Sequence, residues 1–181
     1  MSWEEAIYNG LVQSRVFMPI LSRHSINHPT DPTQNFAMLT ADSPCDNVLL
    51  EYLLALEMST RGLVEKIYPI MIGDLSPPDD DGLRIYAHYL LTSCQPNLAS
   101  EEDSIEVASV TRKCEYHLNR SGYGTSLLSN MTVSRILKTI LGNQGRMIVG
   151  IEQEAFDPIV NDAKTMIRHL KGRPRRRSSY A

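Results

Sequence analysis

The sequence has no apolar stretch long enough to cross a membrane as a helix. Its longest such run, residues 48–56, is broken by Glu51 and falls far short of the roughly 20 residues a span needs. Cysteine is scarce: Cys45, Cys94 and Cys114 show no CxxC spacing, so neither a disulfide framework nor a zinc site is expected. Positive charge is missing from the amino terminus, where Glu4 and Glu5 stand in place of the Lys and Arg of a secretory or mitochondrial signal. A cytoplasmic location is the expectation. No GxSxG places a serine on a nucleophile elbow, and Gly122 and Gly124 give GxG without the third glycine of a phosphate loop. Metal binding is not expected. His24 and His28 have HxxxH spacing but lie beside Asn27 and Pro29 in a loop-like stretch, and Asp79, Asp80 and Asp81 lack the alternating ligands and closing Glu of a calcium loop.

What the chain does contain is 181 residues, 42% hydrophobic and 22% charged, enough for one domain with a sizeable core or one domain with a small annex. Charge is unevenly placed. The last eleven residues hold Lys171, Arg173, Arg175, Arg176 and Arg177 and no acid; removing these five positive charges from the formal total of −3 leaves the first 170 residues at −8. A body this acidic repels phosphate, so nucleic acid is excluded as a partner of the folded part. The tail itself reads as a disordered, solubilising end. It also carries arginines ahead of Ser178 and Ser179, a pattern that makes those serines candidates for phosphorylation and the cluster a candidate nuclear signal.

Periodicity places helices and strands in alternation. Trp3, Ile7 and Leu11 recur at four-residue spacing and predict a helix over residues 3–13. Residues 15–21 (RVFMPIL) form a short continuous apolar run suited to a strand covered on both faces, although Pro19 argues against a central position. Ser43 as cap, Pro44 at the first turn and Asp46 three residues after the cap announce a second helix, whose residues DNVLLEYLLALEM are apolar on nearly every side. Residues 66–72 (KIYPIMI) repeat the strand pattern, again with an internal proline. Helix, strand, helix, strand argues for an α/β sheet. Beyond the breaker cluster at residues 75–82, helices are expected over residues 104–118, with Val107, Val110 and Cys114 on one stripe, over residues 132–141, and from Asp157 and Pro158 to Leu170.

Three segments, SWEEAIYNGLVQSRVFMPILS, CDNVLLEYLLALEM and KIYPIMIGD, in this order and spacing, resemble the C-terminal part of a Toll/interleukin-1 receptor (TIR) domain. The resemblance covers residues 1–73. It implies an α/β fold with a partial flavodoxin-like, TIR-type parallel sheet and a C-terminal helical extension. A fifth strand and closing helix are expected between residues 77 and 120, without a recognisable motif for either. The expected organisation is a truncated TIR-like domain over residues 1–120, a helical extension over 121–170 and the basic tail over 171–181. The family's first strand, first helix, second strand and recognition loop have no counterpart here, which leaves the strand around Phe17 with an open edge.

The resemblance implies two functions. Most TIR domains are scaffolds in signal transduction, so docking onto other TIR domains or onto a second copy of the chain is expected, through Trp3, Phe17 and Ile20 and the open strand flank. Enzymatic members release nicotinamide from NAD, which would be a substrate here rather than a bound cofactor. Glu51 stands where those members carry their catalytic glutamate. Such a carboxylate, partly buried in an apolar helix, holds the ribose hydroxyls and stabilises oxocarbenium-like charge as the glycosidic bond breaks. The plain alternative for Glu51 is a solvated rim residue or a partner for an arginine. Cys45, near a helix amino end, is read as a packed thiol.

Overall fold

Trp3–Gln13 forms the first helix, α1, with Tyr8 and Leu11 buried on one side. In the computed structural model, which describes residues 3–26, 35–73, 102, 104–149 and 153–171, α1 leads into two short strands, β1 (Val16–Phe17) and β2 (Ile20–Leu21). A one-turn helix, α2 (Arg23–Ile26), and a 3-10 turn at Phe36–Met38 precede the long helix α3 (Asn47–Thr60). Two further strands follow, β3 (Lys66–Ile67) and β4 (Ile70–Gly73). Then come helices α4 (Ala108–Arg120) and α5 (Val133–Leu141), strand β5 (Arg146–Val149) and helix α6 (Gln153–Lys171).

Every strand pairing among the described residues is parallel. β1 pairs with β3, and β2 with β4, in one unbroken register in which each residue faces the one fifty positions later, from Val16 with Lys66 to Leu21 with Met71. That register sets Pro19 opposite Pro69. Proline donates no ladder hydrogen bond, which is why the two strand pairs are interrupted at the same level. The carbonyls still accept on schedule: Tyr68 N donates to Phe17 O and Ile70 N to Pro19 O, both at 2.8 Å. Pro19 therefore sits in an outer strand, as its chemistry requires. Pro69 lies in the middle one, where its missing donor falls level with Gly145, just before β5 begins.

Side chains alternate across the strands and divide the core in two. Phe17, Leu21 and Ile67, with Met71 and Met147 at the margin, pack into the main cluster with α1, α3, α4 and α5. Tyr68, Ile70 and Ile148, flanked by Met18 and Ile72, turn the other way and meet Ile159, Phe156 and Met166 of α6. Helices thus cover both faces, which explains strand sequences with little polar alternation.

Helix boundaries differ from the sequence reading in instructive ways. Asp46, not Ser43, caps α3, its carboxylate accepting from Leu49 N at 2.8 Å. The Ser43 hydroxyl instead accepts from Thr40 N in the turn before. The last helix begins at Gln153, ahead of Asp157 and Pro158; the proline lies inside it. Within that helix Ile159 is buried and Ile167 is half exposed. A strand lies at Arg146–Val149, beyond α5, where none was expected; the stretch 77–101, part of the span in which a fifth strand was expected, lies outside the described residues, as do Cys94 and the aspartates 79–81.

Candidate functional site

The second turn of α3 lies beside the outer strand, where the Tyr52 hydroxyl reaches Ile20 O at 3.5 Å, towards the carboxyl end of the line Val16–Leu21. Open parallel sheets bind ligands at this end of their strands, because helix amino ends and loops converge there. Glu51 is in that turn. It is partly buried, and burial raises its carboxyl pKa above the ordinary glutamate value by disfavouring the charged form. Among the described residues its carboxylate makes no hydrogen bond or ion pair. A partly buried carboxylate of this kind can accept a hydroxyl hydrogen bond.

Six residues further along α3, Glu57 has the opposite character. It is fully buried, pairs with Arg61 at 3.3 Å, and accepts from Leu127 N at 3.2 Å, Leu128 N at 2.9 Å and the Ser126 hydroxyl. Arg61 in turn donates to Tyr123 O at 2.9 Å and Thr125 O at 2.7 Å, and its guanidinium lies 5.8 Å from the Tyr123 ring centroid. Apart from their own ion pair, these bonds go to the loop between α4 and α5. Gly122 and Gly124, with φ of 78° and 73°, let that loop turn back over α3. Glu57 and Arg61 are thus a loop anchor, not a catalytic pair. The sequence carried a signal for them, an acid in an apolar helix with an arginine four residues on.

The three expected docking residues do not share one environment. Phe17 is buried and packs edge-on against Tyr52 with ring centroids 6.2 Å apart, so it belongs to the core and offers no free surface. Ile20 is 56% exposed on a strand that, among the described residues, is paired on one side only. Trp3 opens α1, and its side chain lies outside the described residues. Ser178 and Ser179, His28 and the His24 side chain also lie outside them.

A second feature lies between α1 and α4. Glu5, Tyr8, Asn9, His117, Arg120 and Ser121 line a cavity of about 200 Å³. Tyr8 and His117 stack at its base, centroids 5.4 Å apart, and Glu5 pairs with Arg120 at 2.5 Å. Burial pushes the Tyr8 phenol pKa up, so it is a neutral donor. The geometry reads as a seam fastening α1 to α4. Glu51 lines neither this cavity nor the one between β3 and α6.

Cys45 is half-buried beside the α3 cap, with Sγ 3.7 Å from Asp46 O. Cys114 is buried, and desolvation drives its thiol pKa far up, making it unreactive. Among the described residues no three His, Cys, Asp or Glu side chains gather as a metal site, and no helix is long and apolar enough to cross a membrane. No protein-family model, no curated protein and no solved structure matches the chain.

Proposed function

We propose that the chain is a TIR-type interaction module, working in cytoplasmic signal transduction by docking onto TIR surfaces or onto a second copy of itself. The observation that carries this reading is the outer strand β1–β2: among the described residues it pairs on one side alone, and Ile20 presents a large apolar side chain to solvent next to that edge. Free parallel edges recruit further chains unless charge or cover prevents it. Parallel strands joined by α3 also suit the three segments that resemble the family, and a flavodoxin-like sheet is the arrangement they would complete.

Light scattering coupled to size exclusion tests the reading. The wild-type mass rises with concentration, and Ile20→Lys holds the chain at monomer mass with an unchanged far-UV spectrum. A wild type that stays monomeric at the highest concentration, or an Ile20→Lys variant that associates equally well, contradicts it. Phe17→Lys is not a fair test, since a lysine there would be buried in the core.

A second reading, an NAD glycohydrolase, rests on Glu51 alone: a desolvated carboxylate with a raised pKa, near the carboxyl end of the sheet. On this reading the concentrated protein releases nicotinamide from NAD, and Glu51→Ala reduces release to background. No release by concentrated wild type removes the reading, whatever the outcome for docking.

A further inference from the structure

At the opposite, amino end of the strands, the sheet and α6 diverge to leave a cavity of about 290 Å³. Its lining includes Lys66, Tyr68, Gln144, Arg146, Asp162 and Met166. Lys66 and Tyr68 are alternate residues of the middle strand line and Arg146 opens the neighbouring strand, so all three point to the α6 side. Arg146 places Nε and Nη2 on Asp162 Oδ2, at 2.8 and 2.7 Å, and the Tyr68 hydroxyl donates to the same oxygen. These bonds hold the Asp162 carboxyl below its usual pKa, so it stays ionised.

The charge count does not close within the cavity. Two cations face one anion: Asp162 engages Arg146, while the Lys66 ammonium has no hydrogen bond or ion pair among the described residues, and neither does Nη1 of Arg146. The first 170 residues carry a net −8, so an unneutralised positive pocket stands out against its surroundings. Nothing in the docking or glycohydrolase readings uses it. We propose that this cavity binds the phosphate or carboxylate group of a small molecule, between Lys66 and the outer edge of the Arg146 guanidinium, with the Gln144 amide as a further donor and Met166 as an apolar wall. Asp162 holds the guanidinium in place from behind and competes with the incoming anion for it.

The test is a titration of the ¹⁵N-labelled full chain with inorganic phosphate, and separately with acetate, at ionic strength held constant with sodium chloride. Saturable shifts of the Gly145, Arg146 and Thr165 amides are expected with at least one anion, and which anion responds says whether a phosphate or a carboxylate is recognised. Lys66→Gln, a partly exposed position, should weaken that binding about tenfold, the effect of losing one charged hydrogen bond. Asp162→Asn should tighten it, by freeing Arg146 and removing the competing charge. Should Asp162→Asn fail to fold, Lys66→Gln still decides. No saturable shift with either anion, or binding that Lys66→Gln leaves unchanged, overturns the proposal.

Discussion

Glu57→Ala should cost the fold about 3–5 kcal/mol, the range seen when one partner of a buried ion pair is removed. The loss has three sources. Arg61, itself buried, keeps its charge without its 3.3 Å partner. The Leu127 amide loses its acceptor, and the Leu128 amide and Ser126 hydroxyl each lose one of two, keeping only their bonds to each other's residue. Against a total stability of about 5–15 kcal/mol, such a loss removes a large share. Urea denaturation reads it directly, and amide exchange should show protection vanishing at Leu127 and Leu128 before it falls in β4. Replacing both residues by leucine should cost less than Glu57→Ala alone, because no orphaned charge remains. A loss below about 1 kcal/mol would place Glu57 with exposed ion pairs and end its role as loop anchor.

Gly145→Ala is the second large effect. A Cβ built on Gly145 would stand 2.1 Å from Pro69 O, 2.6 Å from Pro69 Cγ and 2.9 Å from the Pro69 carbonyl carbon. The first and last contacts are with backbone and cannot be relieved by a rotamer change. β5 must move, yet Arg146 N donates to that same Pro69 oxygen at 2.9 Å and begins the β4–β5 ladder. Overpacking of this kind costs about 1–3 kcal/mol, and the broken ladder adds to it. The expected result is a lower urea midpoint with loss of amide protection at Ile148. Adding Pro69→Ala should not restore it, since the closest clash is with the backbone oxygen. Full rescue by Pro69→Ala would instead assign the constraint to the proline ring.

How far the sequence disclosed this arrangement depends on distance along the chain. The helix at residues 3–13 and the buried helix around Leu53 follow from spacing and capping residues, signals contained within a few turns. The stripe of Val107, Val110 and Cys114 is buried as periodicity requires, and so are Val133, Ile136, Leu137 and Ile140. Residues 15–21 and 66–72 read as strands because covered parallel strands are apolar throughout. β5 was hidden because it is four residues long, opens on an arginine and follows directly on the helix stop at Gly142–Asn143. Its pairing with β4 is a long-range fact that no local pattern encodes.

The candidate site divides in the same way. Glu51 stood out as a lone carboxylate in apolar surroundings, and partial burial agrees with that reading. Phe17 was misplaced on the surface because a two-faced strand gives no sign of which residues lie under a helix and which at the free edge. Ile20, only three residues on, is the exposed one. The Tyr68–Arg146–Asp162 group joins residues 78 and 94 positions apart and was beyond reach of any local reading.

The account depends on residues 16–21, 66–73 and 146–149 forming parallel neighbours in a fixed register. Scalar couplings across the hydrogen bonds measure this directly in the ¹⁵N,¹³C-labelled chain. Couplings from the Tyr68 amide to the Phe17 carbonyl, from Ile70 to Pro19 and from Arg146 to Pro69 are predicted. Couplings between other residues, or helical connectivities through these segments, would contradict the sheet and the docking edge built on it.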